Sequence, residues 1–248
     1  MFLQSFEITP AITVSEVVAQ HYRTADVFRK YEIEYCCGGK WPLETVCMMK
    51  GIGFDQLKQE LEKAARTMQL PPNLPYESWS IDFLTSYIIH VHHSHLNQSM
   101  METGDILKHF TNEHEKKYPY MPEVLVLFDK LKKDIVPHMQ YEEEIIFPYV
   151  CQIAHAFENN DSYAKLLVKT LRKPLDETLH NEHEMLIAPI LKIRSLTNHY
   201  SPPLKACVSH KVVLERLREN DNDLMQHVYL ENEILYPRAL QIEKALLQ

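Results

Sequence analysis

Apolar residues recur at intervals of three and four along most of this chain, which is the spacing of one face of an α-helix. Ile81, Leu84, Ile88 and Val91 follow it, for example. Sustained alternation of apolar and polar residues, which is typical of strands, does not occur, and the 248 residues include five glycines. The pattern predicts an all-α protein.

The longest amphipathic stretches predict four helices, at about 80–101, 122–155, 161–196 and 202–245. The segments between them are short or of modest length, and such connections favour antiparallel neighbours. We therefore expect an antiparallel four-helix bundle.

Shorter helices are predicted before the bundle. Thr13-Val-Ser-Glu16 fits a capping box that would begin a helix running toward Tyr22. Further helices are expected at about 24–31, 42–50 and 54–68.

A change in composition separates these short helices from the bundle. Three prolines occur within residues 71–75, where they cannot continue a helix and would form a semi-rigid spacer. The sequence predicts a small helical domain over residues 1–68, a proline-rich linker over 69–79 and the bundle over 80–248.

One motif occurs twice, 89 residues apart. His138 and Glu142 are four residues apart, as are His227 and Glu231, and each pair is followed by an isoleucine, an aromatic residue and a proline. Residues four apart lie on one face of a helix, so each pair would point an imidazole and a carboxylate in the same direction. We expect the prolines to kink or end the helices after the motif.

Two further histidines, His93 and His183, lie 90 residues apart and precede the two pairs by 45 and 44 residues. Two helical hairpins would each supply one histidine and then one His-x3-Glu pair, as after duplication of a hairpin. Chance is the alternative, because the chain has 14 histidines. A lone pair of this kind is usually a solvated polar pair, but two copies in register favour a site. The candidate metal ligands are His93, His138, Glu142, His183, His227 and Glu231.

Nitrogen and oxygen ligands of this kind suit iron, and to a lesser degree manganese or zinc. Two histidines per metal and two shared glutamates would hold two metal ions about 3.5–4 Å apart. With an oxo or hydroxo bridge, each metal would keep one position open for a small molecule such as O2 or NO, and an open position distinguishes a reactive site from a structural one. We predict two iron ions per chain.

The ligand on the first helix has an alternative. Four histidines crowd together there: His90, His92, His93 and His95. The register favours His93, and His92 is the second candidate. His114 is a spare candidate because its neighbours resemble those of His183.

Two adjacent thiols, Cys36 and Cys37, precede two glycines and therefore lie at a turn. They are either buried spare thiols or exposed ones that relay electrons, react with NO-derived species or hold iron in transit. We treat both as candidate catalytic residues. The other cysteines are expected to pack within helices, without a disulfide framework: Cys47, Cys151 and Cys207.

Charge and composition exclude several other classes of protein. The net charge is −8 and no strongly basic block occurs, which argues against a nucleic-acid partner. The first residues lack the features of a signal peptide, and no apolar run reaches the roughly 18 residues that a membrane span needs. We expect a cytoplasmic protein that does not contact a membrane.

These features resemble the RIC family of di-iron proteins, named for repair of iron centres, over essentially the whole chain. Residues 35–40, Tyr-Cys-Cys-Gly-Gly-Lys, are similar to that family's N-terminal signature, and the part from residue 80 is similar to its hemerythrin-like bundle. The family's six core ligand positions fall on the six candidates, and its less essential histidine falls on His114. The resemblance implies a stress protein that helps restore iron–sulfur clusters damaged by nitric oxide or oxidants.

Three functions follow as hypotheses. In the first, the di-iron centre donates iron or reacts with NO, the two cysteines assist, and damaged iron–sulfur proteins are the partners. In the second, the centre reduces two NO to N2O, since adjacent irons could each bind one NO. In the third, the protein is an O2 carrier or sensor like simple hemerythrins, which leaves the N-terminal domain without a role. Whether the chain forms a homodimer is left open by the sequence.

Overall fold

The structure is a computed structural model that describes residues 8–35, 39–65, 74–173, 175 and 177–248, the last range without the side chains of 177–180. Within these ranges the regular secondary structure is helical, without a β-strand, and one isolated bridge joins Thr13 to Pro42. The predicted all-α class is confirmed. The candidate residues Cys36 and Cys37 lie outside the described residues.

The chain divides into two compact units. One comprises Met1–Asn73 together with Tyr200–Leu217, and the other comprises Leu74–His199 together with Arg218–Gln248. The domain boundaries at residues 68 and 80 stay a prediction.

The first unit contains four short helices near the predicted positions. They are α1 (Val14–Gln20), α2 (Thr24–Lys30), α3 (Leu43–Lys50) and α4 (Phe54–Ala65). The capping box is confirmed, because Thr13 Oγ1 accepts a hydrogen bond from the Glu16 amide at 3.3 Å and the Glu16 carboxylate accepts one from the Thr13 amide at 2.9 Å.

An apolar core holds these helices together. Leu57 and Leu61, which the helical spacing assigns to one face of α4, are buried and belong to the same cluster as Val17 and Phe28. Val212, from the later segment of this unit, is part of that cluster. Burial of the apolar face of α4 therefore accounts for most of its stability, since so short a helix is marginal in water by itself.

The second unit forms the bundle. In chain order its helices are α5 (Ile81–Tyr87), α6 (Ser94–His114), α7 (Met121–Tyr141), α8 (Phe147–Glu158), α9 (Ala164–Leu171), α10 (Glu177–Leu196), α11 (Val208–Tyr229) and α12 (Tyr236–Leu247). The last helix but one, α11, begins in the segment that belongs to the first unit. Helix α7 packs against α6 and α10, and α8 packs against α5 and α12. The short connection between α6 and α7 makes those two antiparallel. No helix in the described ranges has the length and apolarity that membrane crossing requires.

Three π-helical segments link consecutive helices within the bundle. Ile88–His93 joins α5 to α6, Glu142–Ile146 joins α7 to α8, and Leu230–Leu235 joins α11 to α12. A π turn holds one more residue than an α turn, which changes the direction of the side chains around it, and such turns are frequent at functional sites.

The prolines after the repeated motif do not end their helices. Pro148 and Pro237 lie in the first turns of α8 and α12, which continue to Glu158 and Leu247. A proline is tolerated there because a first-turn residue needs no partner for its N–H group.

The third long helix differs from its predicted extent of 161–196. It is divided into α9 and α10, and residues 172 and 173 are not helical. The sequence carries Pro174 at this point, and a proline disfavours the helical conformation of the residue before it. The first long helix continues beyond residue 101, to His114.

The cysteines in the described ranges suit a packing role. Cys47 is buried and Cys151 and Cys207 are partly buried, and none of these three forms a disulfide with another described residue. Burial raises the pKa of the Cys151 thiol to about 11, so this thiol is a weak nucleophile at neutral pH.

Candidate metal centre

The structure brings all six predicted metal ligands together inside the bundle. They form two groups of four residues. Within each group the four ligand atoms, one from each residue, lie within 4.8 Å of one another. The His93 group consists of His93, Glu142, His227 and Glu231. The His138 group consists of His138, Glu142, His183 and Glu231. The two glutamates therefore belong to both groups.

Four different helical segments of the bundle each supply one of the four histidines. His93 ends the π segment before α6, His138 lies on α7, His183 on α10 and His227 on α11. Both glutamates lie in π segments, Glu142 at the start of the one after α7 and Glu231 at the second position of the one after α11.

The imidazoles are paired through their Nε2 atoms. The Nε2 atoms of His93 and His227 lie 3.0 Å apart, and those of His138 and His183 also lie 3.0 Å apart. Two metal–nitrogen bonds of about 2.1 Å at a right angle separate their nitrogens by about 3.0 Å. Each imidazole pair therefore has the spacing of two neighbouring ligands on one metal ion.

Each glutamate presents one oxygen to each group. Glu142 Oε1 lies 3.3 Å from His138 Nε2 and 3.6 Å from His183 Nε2, whereas its Oε2 lies 3.6 Å from His93 Nε2. Glu231 Oε1 lies 2.8 Å from His227 Nε2, and its Oε2 lies 3.3 Å from His183 Nε2. Both carboxylates are oriented as bridges between two positions.

Burial of two carboxylates side by side requires compensating positive charge. Both glutamates are 0% exposed, and the Oε2 atom of each has no hydrogen-bond partner among the described residues. Four inward-facing imidazole nitrogens and two orphaned carboxylate oxygens fit a pair of divalent or trivalent cations.

The pKa values reflect the same requirement. Burial alone would raise the pKa of Glu142, but the nearby imidazoles of His138, His183 and His227 lower it well below its usual value. Burial would lower the pKa of His227, but the carboxylates of Glu231 and Glu142 raise it to about 10. The protonated imidazole of His227 therefore supplies positive charge when no metal is bound, and metal binding there would release that proton.

In three of the four histidines, Nδ1, the ring nitrogen that points away from the cluster, has a hydrogen-bond partner. His93 Nδ1 lies 2.8 Å from Glu143 Oε1, His183 Nδ1 lies 2.8 Å from Asn232 Oδ1, and His138 Nδ1 lies 3.2 Å from Glu182 Oε2. An Nδ1–H that donates to such an oxygen leaves the Nε2 lone pair free for a metal and fixes the orientation of the ring.

Tyr236 makes a further contact with the cluster. Its hydroxyl donates a hydrogen bond to Glu142 Oε1 at 2.5 Å, and its ring stacks on His183. Burial raises the pKa of Tyr236 well above its usual value, so the hydroxyl stays protonated. The corresponding residue of the other motif, Phe147, stacks on His93.

The sequence interpretation missed these surrounding residues, although a signal for them existed. The 89-residue register that pairs the ligands also pairs Glu143 with Asn232 and Phe147 with Tyr236. The aromatic residues were expected to pack in the core, which they do, but the hydrogen bond from Tyr236 was not foreseen.

The two alternative histidines lie outside both groups. His92 is buried beside His227, but its Nδ1 lies 3.1 Å from Asp223 Oδ1. His114 stacks on Phe110, and its Nδ1 lies 3.2 Å from the carbonyl oxygen of that residue.

A cavity opens at one end of the cluster. It has a volume of about 360 Å³, and His138, Tyr141, Glu182 and Met185 are among the residues that line it. His138 is 8% exposed, whereas the other five candidate ligands are 0% exposed. The His138 group is therefore the more accessible of the two.

Comparison with known proteins adds to this geometry. Residues 11–65 match the family model ScdA_N, described as a domain of unknown function, DUF542. A protein of Escherichia coli O81 (strain ED1a) named iron-sulfur cluster repair protein YtfE is 30% identical over 219 residues, which cover 88% of this chain and 91% of that protein. The chain belongs to the family of iron–sulfur cluster repair proteins.

Other members of this repair family match at similar length. A probable iron-sulfur cluster repair protein of Haemophilus influenzae (strain Rd) is 25% identical over 92% of this chain and 96% of its own length. The YtfE protein of Enterobacter sp. (strain 638) is 26% identical over the same shares. The family suggested by the double cysteine and the duplicated ligand motif is thus confirmed.

We expect replacement of Glu143 by alanine to lower the affinity of the cluster for ferrous iron by roughly 10–100-fold, because His93 would lose the acceptor that orients it. Competition with a ferrous chelator under anaerobic conditions measures the affinity. The matched control is Glu144→Ala, which removes an exposed carboxylate one residue further along the same π segment. Equal affinities of the two variants would contradict the role of Glu143.

Proposed function

We propose that the cluster holds two iron ions and that the protein uses this centre in the cytoplasm to help restore damaged iron–sulfur clusters. The observation that carries the proposal is the pair of buried four-residue groups that share Glu142 and Glu231. The names of the relatives support the repair role. Damaged iron–sulfur proteins would be the partners.

The chain's own residues have distinct tasks in this proposal. The imidazole pairs His93 with His227 and His138 with His183 would each hold one ion, and the two glutamates would bridge the ions. Bound iron would supply a change between ferrous and ferric states and a ligand position for a small molecule. The surrounding protein keeps bulk water away from all six ligands except at His138.

The cavity beside His138 supports exchange with solvent. A bundle core that is closed on every side would retain its metal, whereas this opening gives small molecules a path to one end of the cluster. Carboxylates attract cations, and those of Glu182 and Asp134 outnumber the one ammonium group, that of Lys133, in the lining of the cavity. Delivery of iron and binding of NO both need such a path.

We assign Cys36 and Cys37 an assisting role. They fall inside the matched N-terminal domain, residues 11–65, and the glycines after them favour a turn. Adjacent thiols at a turn could hold iron in transit to a damaged cluster or react with NO-derived species.

Reduction of NO is the second candidate function. Two groups that share both carboxylates would hold two NO molecules close enough for N–N bond formation. The reaction 2 NO + 2 e⁻ + 2 H⁺ → N2O + H2O needs an external one-electron donor, such as a reduced flavoprotein.

The repair role predicts that Glu142→Ala/Glu231→Ala protein fails to restore activity to a damaged iron–sulfur enzyme in a cell lysate. Both bridging carboxylates would be lost, so metal content should fall from about two irons per chain to near zero. The control is Glu144→Ala/Glu233→Ala, a pair in the same 89-residue register whose side chains are exposed. Full repair by the bridge variant would refute the proposal.

The cysteines should be needed for repair but not for metal binding. We expect Cys36→Ser/Cys37→Ser protein to keep about two irons per chain while its rate of cluster repair falls several-fold. Metal analysis and the lysate assay measure the two effects separately. Unchanged repair would remove the cysteines from the mechanism and would leave the metal centre in place.

NO reduction is tested by gas analysis. Iron-loaded protein with NO and a reductant should produce N2O above the amount from Glu142→Ala/Glu231→Ala protein if this second function holds. Production no greater than that of the variant rules out NO reduction without affecting the repair role.

A further inference from the structure

The 89-residue repeat makes the two halves of the cluster similar, but the matched positions 147 and 236 differ in chemistry next to the ligands. Phe147 follows the first His-x3-Glu pair and Tyr236 follows the second, 89 residues later. Phe147 stacks on His93 with ring centroids 5.7 Å apart, and Tyr236 stacks on His183 at 6.2 Å. The same aromatic position therefore carries a hydroxyl beside one group and none beside the other.

The tyrosine hydroxyl binds one particular carboxylate oxygen. It donates to Glu142 Oε1, which is the oxygen of Glu142 that faces His138 and His183. Among the described residues, the other three bridging oxygens accept no hydrogen bond from a hydroxyl. Tyr236 thus acts directly on the oxygen that faces the His138 group.

A hydrogen bond to this oxygen weakens it as a metal ligand. The donated proton occupies one of the lone pairs of Oε1 and withdraws electron density from it. A metal ion in the His138 group would therefore have one weakened bridging oxygen. An ion in the His93 group would face Glu142 Oε2 and Glu231 Oε1, which lack this donor.

The hydrogen bonds to the outer imidazole nitrogens do not rank the groups by themselves. His93 has a carboxylate partner, which strengthens an imidazole as a ligand, whereas His183 has the neutral amide of Asn232. His138 has the carboxylate of Glu182, but His227 Nδ1 has no partner among the described residues. The ranking therefore depends on Tyr236 and on exposure.

Solvent exposure distinguishes the same group of ligands as the hydroxyl of Tyr236 does. His138 is the candidate ligand that borders the cavity and reaches solvent, whereas the histidines of the His93 group are fully buried. The weaker bridging oxygen and the accessible imidazole thus belong to the same group.

We propose that the hydroxyl of Tyr236 makes the two metal positions inequivalent, so that iron held by the His138 group leaves first while iron held by the His93 group is retained. This inference rests on the proposed two-iron centre and identifies which ion the protein would deliver. Tyr236 is a positioning residue, since it acts through Glu142.

The test is the rate of iron loss from anaerobically loaded protein mixed with an excess of a ferrous chelator. The native protein should release one equivalent quickly and one slowly. We expect Tyr236→Phe to slow the fast phase several-fold, because the donor that withdraws electron density from Glu142 Oε1 is removed. Tyr163→Phe, which alters a tyrosine that is 55% exposed, should leave both phases unchanged.

The repeat also suggests the opposite substitution, at the position matched to Tyr236. Phe147→Tyr would add a hydroxyl at the matched position beside His93, and this variant should accelerate the slow phase. A purely structural role of residue 236 would not produce opposite effects from removing one hydroxyl and adding the other.

Mössbauer spectra of 57Fe-loaded protein should have two doublets in the native form, which converge in Tyr236→Phe.

Labelling identifies the group that empties first. After removal of one equivalent, diethyl pyrocarbonate should modify His138, and mass spectrometry would locate the label. The inference is wrong if two bound equivalents are lost in a single phase, or if His93 or His227 is labelled first. Either result would leave the proposed two-iron centre unaffected. Binding of less than two equivalents overturns the proposed centre itself. If Tyr236→Phe fails to fold, the phases and the labelling order of the native protein decide.

Discussion

Two carboxylates buried side by side are the constraint on which the rest of this bundle depends. Glu142 and Glu231 are fully buried, and buried like charges are strongly unfavourable without compensation. The imidazoles of His138 and His227, whose pKa values the carboxylates raise, supply part of that compensation, and cations held by the six ligands would supply the rest. The residues outside them, including Glu143, then serve to keep each ring in place. A core built only for stability would be apolar, so the charged cluster indicates that function was the reason for its retention.

The helices accommodate the cluster by departing from α-helical geometry beside it. Each π segment contains or adjoins a ligand, and an extra residue in a turn rotates the side chains that follow. His-x3-Glu spacing aligns two side chains along one helix, but convergence of both groups also requires His93 and His183 from other helices. Poorer backbone hydrogen bonding in the π turns is thus accepted where it directs ligands toward a common centre.

The six ligands could be predicted from the sequence because their positions repeat, and a repeat is visible without a structure. Glu143 and Asn232 lie in the same register, yet their role depends on histidines of other helices, and sequence spacing does not reveal which helices are neighbours. The π segments were missed for a similar reason, since apolar spacing of three and four fits an α-helix with or without one wide turn. The division of the third helix was signalled by Pro174, whose effect the longer periodicity concealed.

The 89-residue repeat gives the site two similar halves, and this similarity limits what such a site can do. Two identical halves would bind their ions with equal strength, so only access would decide which ion leaves. A protein that delivers iron benefits from holding one ion more loosely, because the retained ion keeps the buried glutamates neutralised after the first has left. The hydroxyl of Tyr236 provides such a difference with one oxygen atom, at a position where Phe147 preserves the same packing in the other half. The shared aromatic position therefore keeps the packing of the two halves similar, while the hydroxyl of Tyr236 makes their chemistry different.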